Sequence, residues 1–221
     1  MLVSLLKEHF RYFHENGWIV FENLVKESKI KVLNEALDAF FVKNLKKDAL
    51  EANFEEQWQL GRNLSFEEPL LRRLACQKNL AYIASELCKI RPLRLGFDQI
   101  LQTTLIPATS FSLKEISQIR GDQTALLLCL RAFEGLKTSP SILPRQPGSA
   151  LFVSHEQKLP FSELIHQVGQ VPGRYLMLVY AESRSFYTPL SSDSLSSKDW
   201  KKRAYAFGDL LAEKDHPLLI S

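Results

Sequence analysis

Apolar residues near the start of the chain recur at helical intervals. Leu2, Leu5, Leu6, Phe10 and Phe13 fall at i, i+3, i+4, i+8 and i+11, the stripe of an amphipathic helix. Gly17 predicts the stop, because a residue without Cβ takes the left-handed cap conformation at little cost. Trp18–Glu22 reads as a short strand, and Ile30, Leu33, Leu37, Phe40 and Phe41 mark a second amphipathic helix. Two shorter helices are predicted over Phe66–Ala75 and Asn79–Lys89, the latter ended by Pro92. The pattern then changes. Leu93–Gln102, Thr124–Phe133, Ser149–Ser154 and Arg174–Ala181 are strand-like, with Pro, Gly and Ser between them. Ala125–Leu130 and Tyr175–Tyr180 do not alternate, which suits strands covered on both faces, so one sheet is expected between a second sheet and the N-terminal helices. After a Ser-rich stretch at 191–197, a last helix is expected over Asp199–Glu213, with Trp200, Ala204, Phe207 and Leu211 on one side.

This order predicts one α+β domain over residues 1–221: helical support at 1–90, a β core at 91–185, and a Ser-rich connector with a C-terminal helix at 186–221. Composition agrees, since 45% hydrophobic and 24% charged residues are ordinary for a globular chain. A net charge of +3 is too small to mark a dedicated polyanion binder. Three cysteines, Cys76, Cys88 and Cys129, with no C-x-x-C spacing exclude a disulfide framework or zinc ribbon and point to a reducing compartment. The N-terminus lacks the features of a secretory leader, and no stretch is apolar enough to span a bilayer. The expectation is therefore a cytoplasmic protein without a membrane partner.

Several segments carry a family resemblance. His9-Phe10-x-x-Phe13-x-x-Asn16-Gly17-Trp18-Ile19-Val20-Phe21-Glu22 resembles the opening of the phytanoyl-CoA dioxygenase-like family of non-haem Fe(II) and 2-oxoglutarate-dependent oxygenases. Gly96-Phe97-Asp98-Gln99-Ile100-Leu101 is similar to that family's first barrel strand. Leu126–Phe133 followed by Pro147-Gly148-Ser149-Ala150-Leu151-Phe152-Val153 is similar to the strand pair before the distal metal ligand. Gly173-Arg174-Tyr175-Leu176 is similar to the closing strand that carries the 2-oxoglutarate-binding arginine. The likeness runs over about residues 8–182 and implies a double-stranded β-helix, the jelly-roll or cupin-like core, buttressed by N-terminal helices. It also implies Fe(II) and 2-oxoglutarate as cofactors and Arg174 as a carboxylate binder.

The family's iron needs two imidazoles and one carboxylate on one face, leaving positions for the oxo-acid and O₂. The five histidines are His9, His14, His155, His166 and His216, so none lies between residues 15 and 154, where the His-x-Asp pair belongs. No His-x-Asp or His-x-Glu occurs anywhere, and the position of the distal histidine falls near Leu159. The triad is missing by residue type. Neither iron nor 2-oxoglutarate is therefore expected as a cofactor, and no catalytic residue is assigned.

Other residues leave alternatives open. His155, Glu163 and His166 could rebuild a metal site, with Glu163 and His166 at i, i+3 on one helical face, or form a solvated loop. Arg174 either binds a ligand carboxylate or opens its strand and pairs with a carboxylate of the chain. Alternation places Asp98, Ile100 and Gln102 on one face and Phe97, Gln99 and Leu101 on the other. Asp98, Gln99 and Gln102 either line a remnant pocket or meet solvent and loops. The basic runs Lys43–Lys47 and Lys198–Arg203 look like solvated helix faces, which argues against nucleic acid as the partner. The leading expectation is an oxygenase-like fold that binds a small carboxylic acid or a protein, or performs chemistry without iron. An oxygenase with rearranged ligands and a metal-responsive DNA-binding regulator are the alternatives.

Overall fold

The computed structural model describes residues 4–45, 54–102, 117–132, 142–154, 173–189, 200 and 202–221. Helix α1 (Lys7–Asn16) ends where Gly17 enters the left-handed region at φ 78°, its N–H donating to Phe13 O at 2.7 Å. Strand β1 (Trp18–Phe21) and helix α2 (Glu27–Leu45) follow, then α3 (Phe54–Leu60). The helix expected over Phe66–Ala75 forms as a 3₁₀ turn at Leu64–Phe66 and α4 at Pro69–Ala75. Proline at the first helical position forces a new start, and the Glu68 side chain caps it by accepting from Leu70 N–H at 3.0 Å. Helix α5 (Lys78–Cys88) completes the helical half. Among the described residues no helix is long and apolar enough to cross a membrane.

The β half contains β2 (Leu93–Gln102), β3 (Ile119–Arg120), β4 (Gln123–Ala132), β5 (Ala150–Val153), β6 (Gly173–Glu182), β7 (Phe186–Tyr187) and β8 (Leu218–Ile220). Six of these strands, with β1 included, make one antiparallel sheet in the order β1-β5-β4-β6-β2-β8, while β3 pairs with β7. The architecture is the expected α+β one, with a curled antiparallel sheet of the jelly-roll type.

Both faces of the large sheet are covered, which is why its strands read as unbroken apolar runs. Leu126, Leu128, Leu176, Leu178 and Tyr180 join the core shared with the helices. Leu127, Cys129, Tyr175, Met177 and Val179 point the other way, into a second core that includes Ile119 and Tyr187 of the small sheet. We call this second side the inner face. Gly148 ties the layers together: its O accepts from Val25 N–H at 3.0 Å, its φ is +87°, and a Cβ there would lie 2.1 Å from Val25 O.

The C-terminal helix expected over Asp199–Glu213 does not form across Arg203–Glu213. Ala204 and Gly208 take positive φ, at 61° and 87°, and an α-helix cannot run through them. The expected apolar stripe divides, with Trp200 and Leu211 buried and Phe207 72% exposed. Trp200 instead stacks on Tyr187 and His216, at 4.8 and 5.4 Å between ring centroids. The chain then finishes as β8 on the edge of β2.

Candidate functional site

Strand β2 has two coverings on its outer edge. Where β8 stops, residues 61–63 take over, with Asn63 N–H donating to Asp98 O and Ile100 N–H donating to Gly61 O, each at 2.9 Å. This pairs Arg62 with Gln99 across an isolated antiparallel bridge, so their side chains share a face. That face is the inner one. Arg62 is 6% exposed, and its guanidinium carbon lies 3.4 Å from the centroid of the Phe97 ring. Gln99 Nε2 donates to Trp58 O at 3.1 Å and to Ile100 O at 3.0 Å, which leaves Gln99 Oε1 buried without a hydrogen-bond donor among the described residues. The Tyr175 hydroxyl, on the same face, is likewise buried without a partner. A guanidinium on an aromatic wall, with a tyrosine hydroxyl on the same face, is a set of donors that suits an acceptor group such as a carboxylate. Arg62 was not singled out from the sequence, because only the pairing of 61–63 with β2 shows which way it points.

Asp98 and Gln102 lie on the opposite face, as alternation requires. Ser65 N–H donates to both carboxylate oxygens of Asp98, at 3.2 and 3.3 Å. Burial pushes the Asp98 carboxyl up to about 6, against the lowering effects of these hydrogen bonds and of the Arg62 charge. The aspartate thus secures the 3₁₀ turn that follows Arg62.

Arg174 is also on the helix-facing side, in step with Leu176 and Leu178. Its Nη2 donates to Asp38 Oδ1 at 2.6 Å and to Gln102 Oε1 at 2.9 Å, Nε donates to Gln102 Oε1 at 3.0 Å, and Nη1 donates to Asn34 Oδ1 at 3.1 Å. The carboxylate it holds in the structure belongs to α2 of its own chain. Arg131 donates to the other oxygen of Asp38 at 2.8 Å. Partial burial raises the Asp38 pKa, but hydrogen bonds and charges from Arg131 and Arg174 outweigh it, and the carboxyl stays below its ordinary value. Of the predicted polar residues, Arg174 and Gln102 come together away from the inner face, Asp98 lies apart from them, and Gln99 alone joins Arg62.

His155, Glu163 and His166 lie outside the described residues. Among those described, no group of three His, Cys, Asp or Glu residues is placed to hold a metal ion. His216, the buried imidazole, is stacked on Trp200, and its Nδ1–H donates to Leu95 O at 3.2 Å. Burial pushes its pKa down to about 4. Among the described residues, the inner face supplies Gln99, Cys129 and Tyr175, with His216 stacked on Trp200, and the buried carboxylate of Asp98 faces the helices. This donor set does not fit an iron held by two imidazoles and a carboxylate. In the second basic run, Arg203 donates to Asp215 Oδ1 at 3.2 Å and lies over Phe66, so it is not displayed for phosphates.

No protein-family model matches the sequence, and no curated protein matches it. Solved structures do match. SnoK, a non-haem α-ketoglutarate-dependent carbocyclase from nogalamycin biosynthesis, is 13% identical and superposes with a TM-score of 0.69, covering 99% of this chain and 97% of its own. EctD from S. alaskensis with bound Fe is 13% identical at a TM-score of 0.54, over 81% of this chain and 77% of its own. CT296 from Chlamydia trachomatis is 19% identical at a TM-score of 0.51, over 82% of this chain and 99% of its own. At these identities the likeness is one of fold, that of the Fe and 2-oxoglutarate oxygenases.

Proposed function

We propose that this chain uses the oxygenase-like fold as a binding scaffold, taking a small carboxylic acid on the inner face at Arg62, without iron-dependent turnover. The observation that carries this reading is the placement of Arg62. It puts a buried guanidinium over Phe97 and beside Gln99, on the face of β2 that joins the second core. A guanidinium recognises a carboxylate by two parallel charge-assisted hydrogen bonds, and the aromatic floor keeps its plane fixed. The Tyr175 hydroxyl offers a further donor on the same face. Arg174 has a separate role, locking β6 to α2 through Asp38 and Asn34.

The test is calorimetric titration of the full chain with 2-oxoglutarate, succinate and malonate, repeated with Arg62→Gln and Arg174→Gln. The expected result is saturable binding of at least one acid, weakened about tenfold or more by Arg62→Gln. In Arg174→Gln the affinity is retained while the chain loses stability. Absence of binding by every acid, or a loss of affinity confined to Arg174→Gln, would overturn the proposal. Stoichiometric iron in the purified chain, removed by His155→Ala or His166→Ala, would favour the oxygenase with rearranged ligands instead.

A further inference from the structure

Helices α2 and α4 leave a groove of about 500 Å³ between them. Val25, Val32, Leu33, Leu70 and Leu74 supply its apolar surface, and Ser28, Lys29, Arg73 and Gln77 its polar groups. Val32 is 50% exposed, an uncovered β-branched side chain of α2. Among the described residues, no acidic side chain lines the groove. The charges of α2 are segregated: Glu27, Lys31 and Glu35 line a different depression against β4, and Asp38 is bound by two arginines. On α4, Arg72 donates to Asp215 O and Lys214 O, whereas Arg73 and Lys29 form no ion pair among the described residues.

We infer that the α2–α4 groove binds a single-chain aliphatic carboxylate, with the hydrocarbon against Val32, Leu33, Leu70 and Leu74 and the anion between Lys29 and Arg73. The chemistry follows from the lining. An apolar surface carrying only cations complements an amphiphile with one anionic end, and repels a cationic one. The volume falls in the range of small-molecule sites, about 300–1,000 Å³. The groove also takes in only Ser28 to Leu33 of α2, about one and a half turns, which is small for a protein interface that must bury on the order of 1,000 Å². A free aliphatic acid is the occupant that matches both size and charge.

Decanoate, kept below its micelle concentration, is the probe, with decanol and decyltrimethylammonium as its neutral and cationic counterparts. Calorimetry on the full chain should show one saturable site for decanoate and binding at least about tenfold weaker for the other two. The double variant Lys29→Glu/Arg73→Glu, and separately Val32→Asp, should each weaken decanoate about tenfold or more, with thermal unfolding checking that these exposed substitutions leave the fold intact. Lys31→Glu, on the other flank of α2, and Arg62→Gln, on the inner face, should leave it unchanged, so this site stands or falls separately from the inner-face proposal. No saturable binding, equal binding of all three amphiphiles, or indifference to the groove substitutions would overturn it. Binding only to phosphatidylglycerol vesicles, with none to free decanoate, would also overturn it and make this face a membrane-surface contact.

Discussion

Two buried titratable residues set opposite pH dependences. Asp98 has its carboxyl pushed up to about 6 from an ordinary 3.8, so the folded chain keeps a proton that the unfolded chain has released. Its support for folding is complete below 3.8 and is lost as pH rises through about 6, an amount of about 3 kcal/mol. His216 is depressed from 6.5 to about 4, so its contribution is complete above 6.5 and is lost as pH falls through 4, again by about 3 kcal/mol. Between pH 4 and 6 the two nearly cancel. Asp98→Asn keeps an acceptor for Ser65 N–H and exposes the histidine, so its stability should fall as pH is lowered from 6.5 to 4. His216→Phe keeps the stack on Trp200 and should lose stability as pH rises from 4 to 6. Urea midpoints measured across this range check both, and parallel profiles for the two variants would refute the assignment. Alternation in the sequence already assigned Asp98 to one face of its strand. Its partner was not legible, because Ser65 reaches it only through a turn 33 residues away.

At the scale of elements, the alternation of β2 was readable because polar residues interrupt it, and the two faces came out as expected. Strand β6 offers no such asymmetry. Tyr175–Tyr180 is apolar on both faces, so nothing in the run shows whether Arg174 looks inward or toward the helices. Removing it should be costly. Arg174→Ala strips donors from Asn34, Asp38 and Gln102 at a buried site, and with Asp38 partly solvated the loss should be about 2–4 kcal/mol in urea unfolding. An unchanged midpoint would show that the network contributes nothing. Gly148→Ala combines a positive φ with a collision against Val25 O and should cost about 2 kcal/mol or more by the same measurement. The missing C-terminal helix has a related cause. Trp200, Ala204, Phe207 and Leu211 have helical spacing, but the long-range stack of Trp200 on Tyr187 and His216 takes precedence over that local pattern.

For the whole molecule, the sequence anticipated the helical layer and the strands β1, β2, β4, β5 and β6, but neither the short β3, β7 and β8 nor the order of the strands in the sheet, and the solved structures agree on the fold. The inner-face cation was beyond its reach, since residues 61–63 must first add to the edge of β2 before Arg62 has a direction. The scarcity of histidine carries the functional argument: from residue 15 to residue 154 there is none, which is the interval where the first ligand pair belongs. The central claim is a fold retained for binding, without iron chemistry. Its most direct test is succinate formation by the full chain supplied with Fe(II), ascorbate, O₂ and 2-oxoglutarate. The account predicts no succinate above the protein-free control. Succinate formed in excess of the protein, and abolished by His155→Ala or His166→Ala, would contradict it.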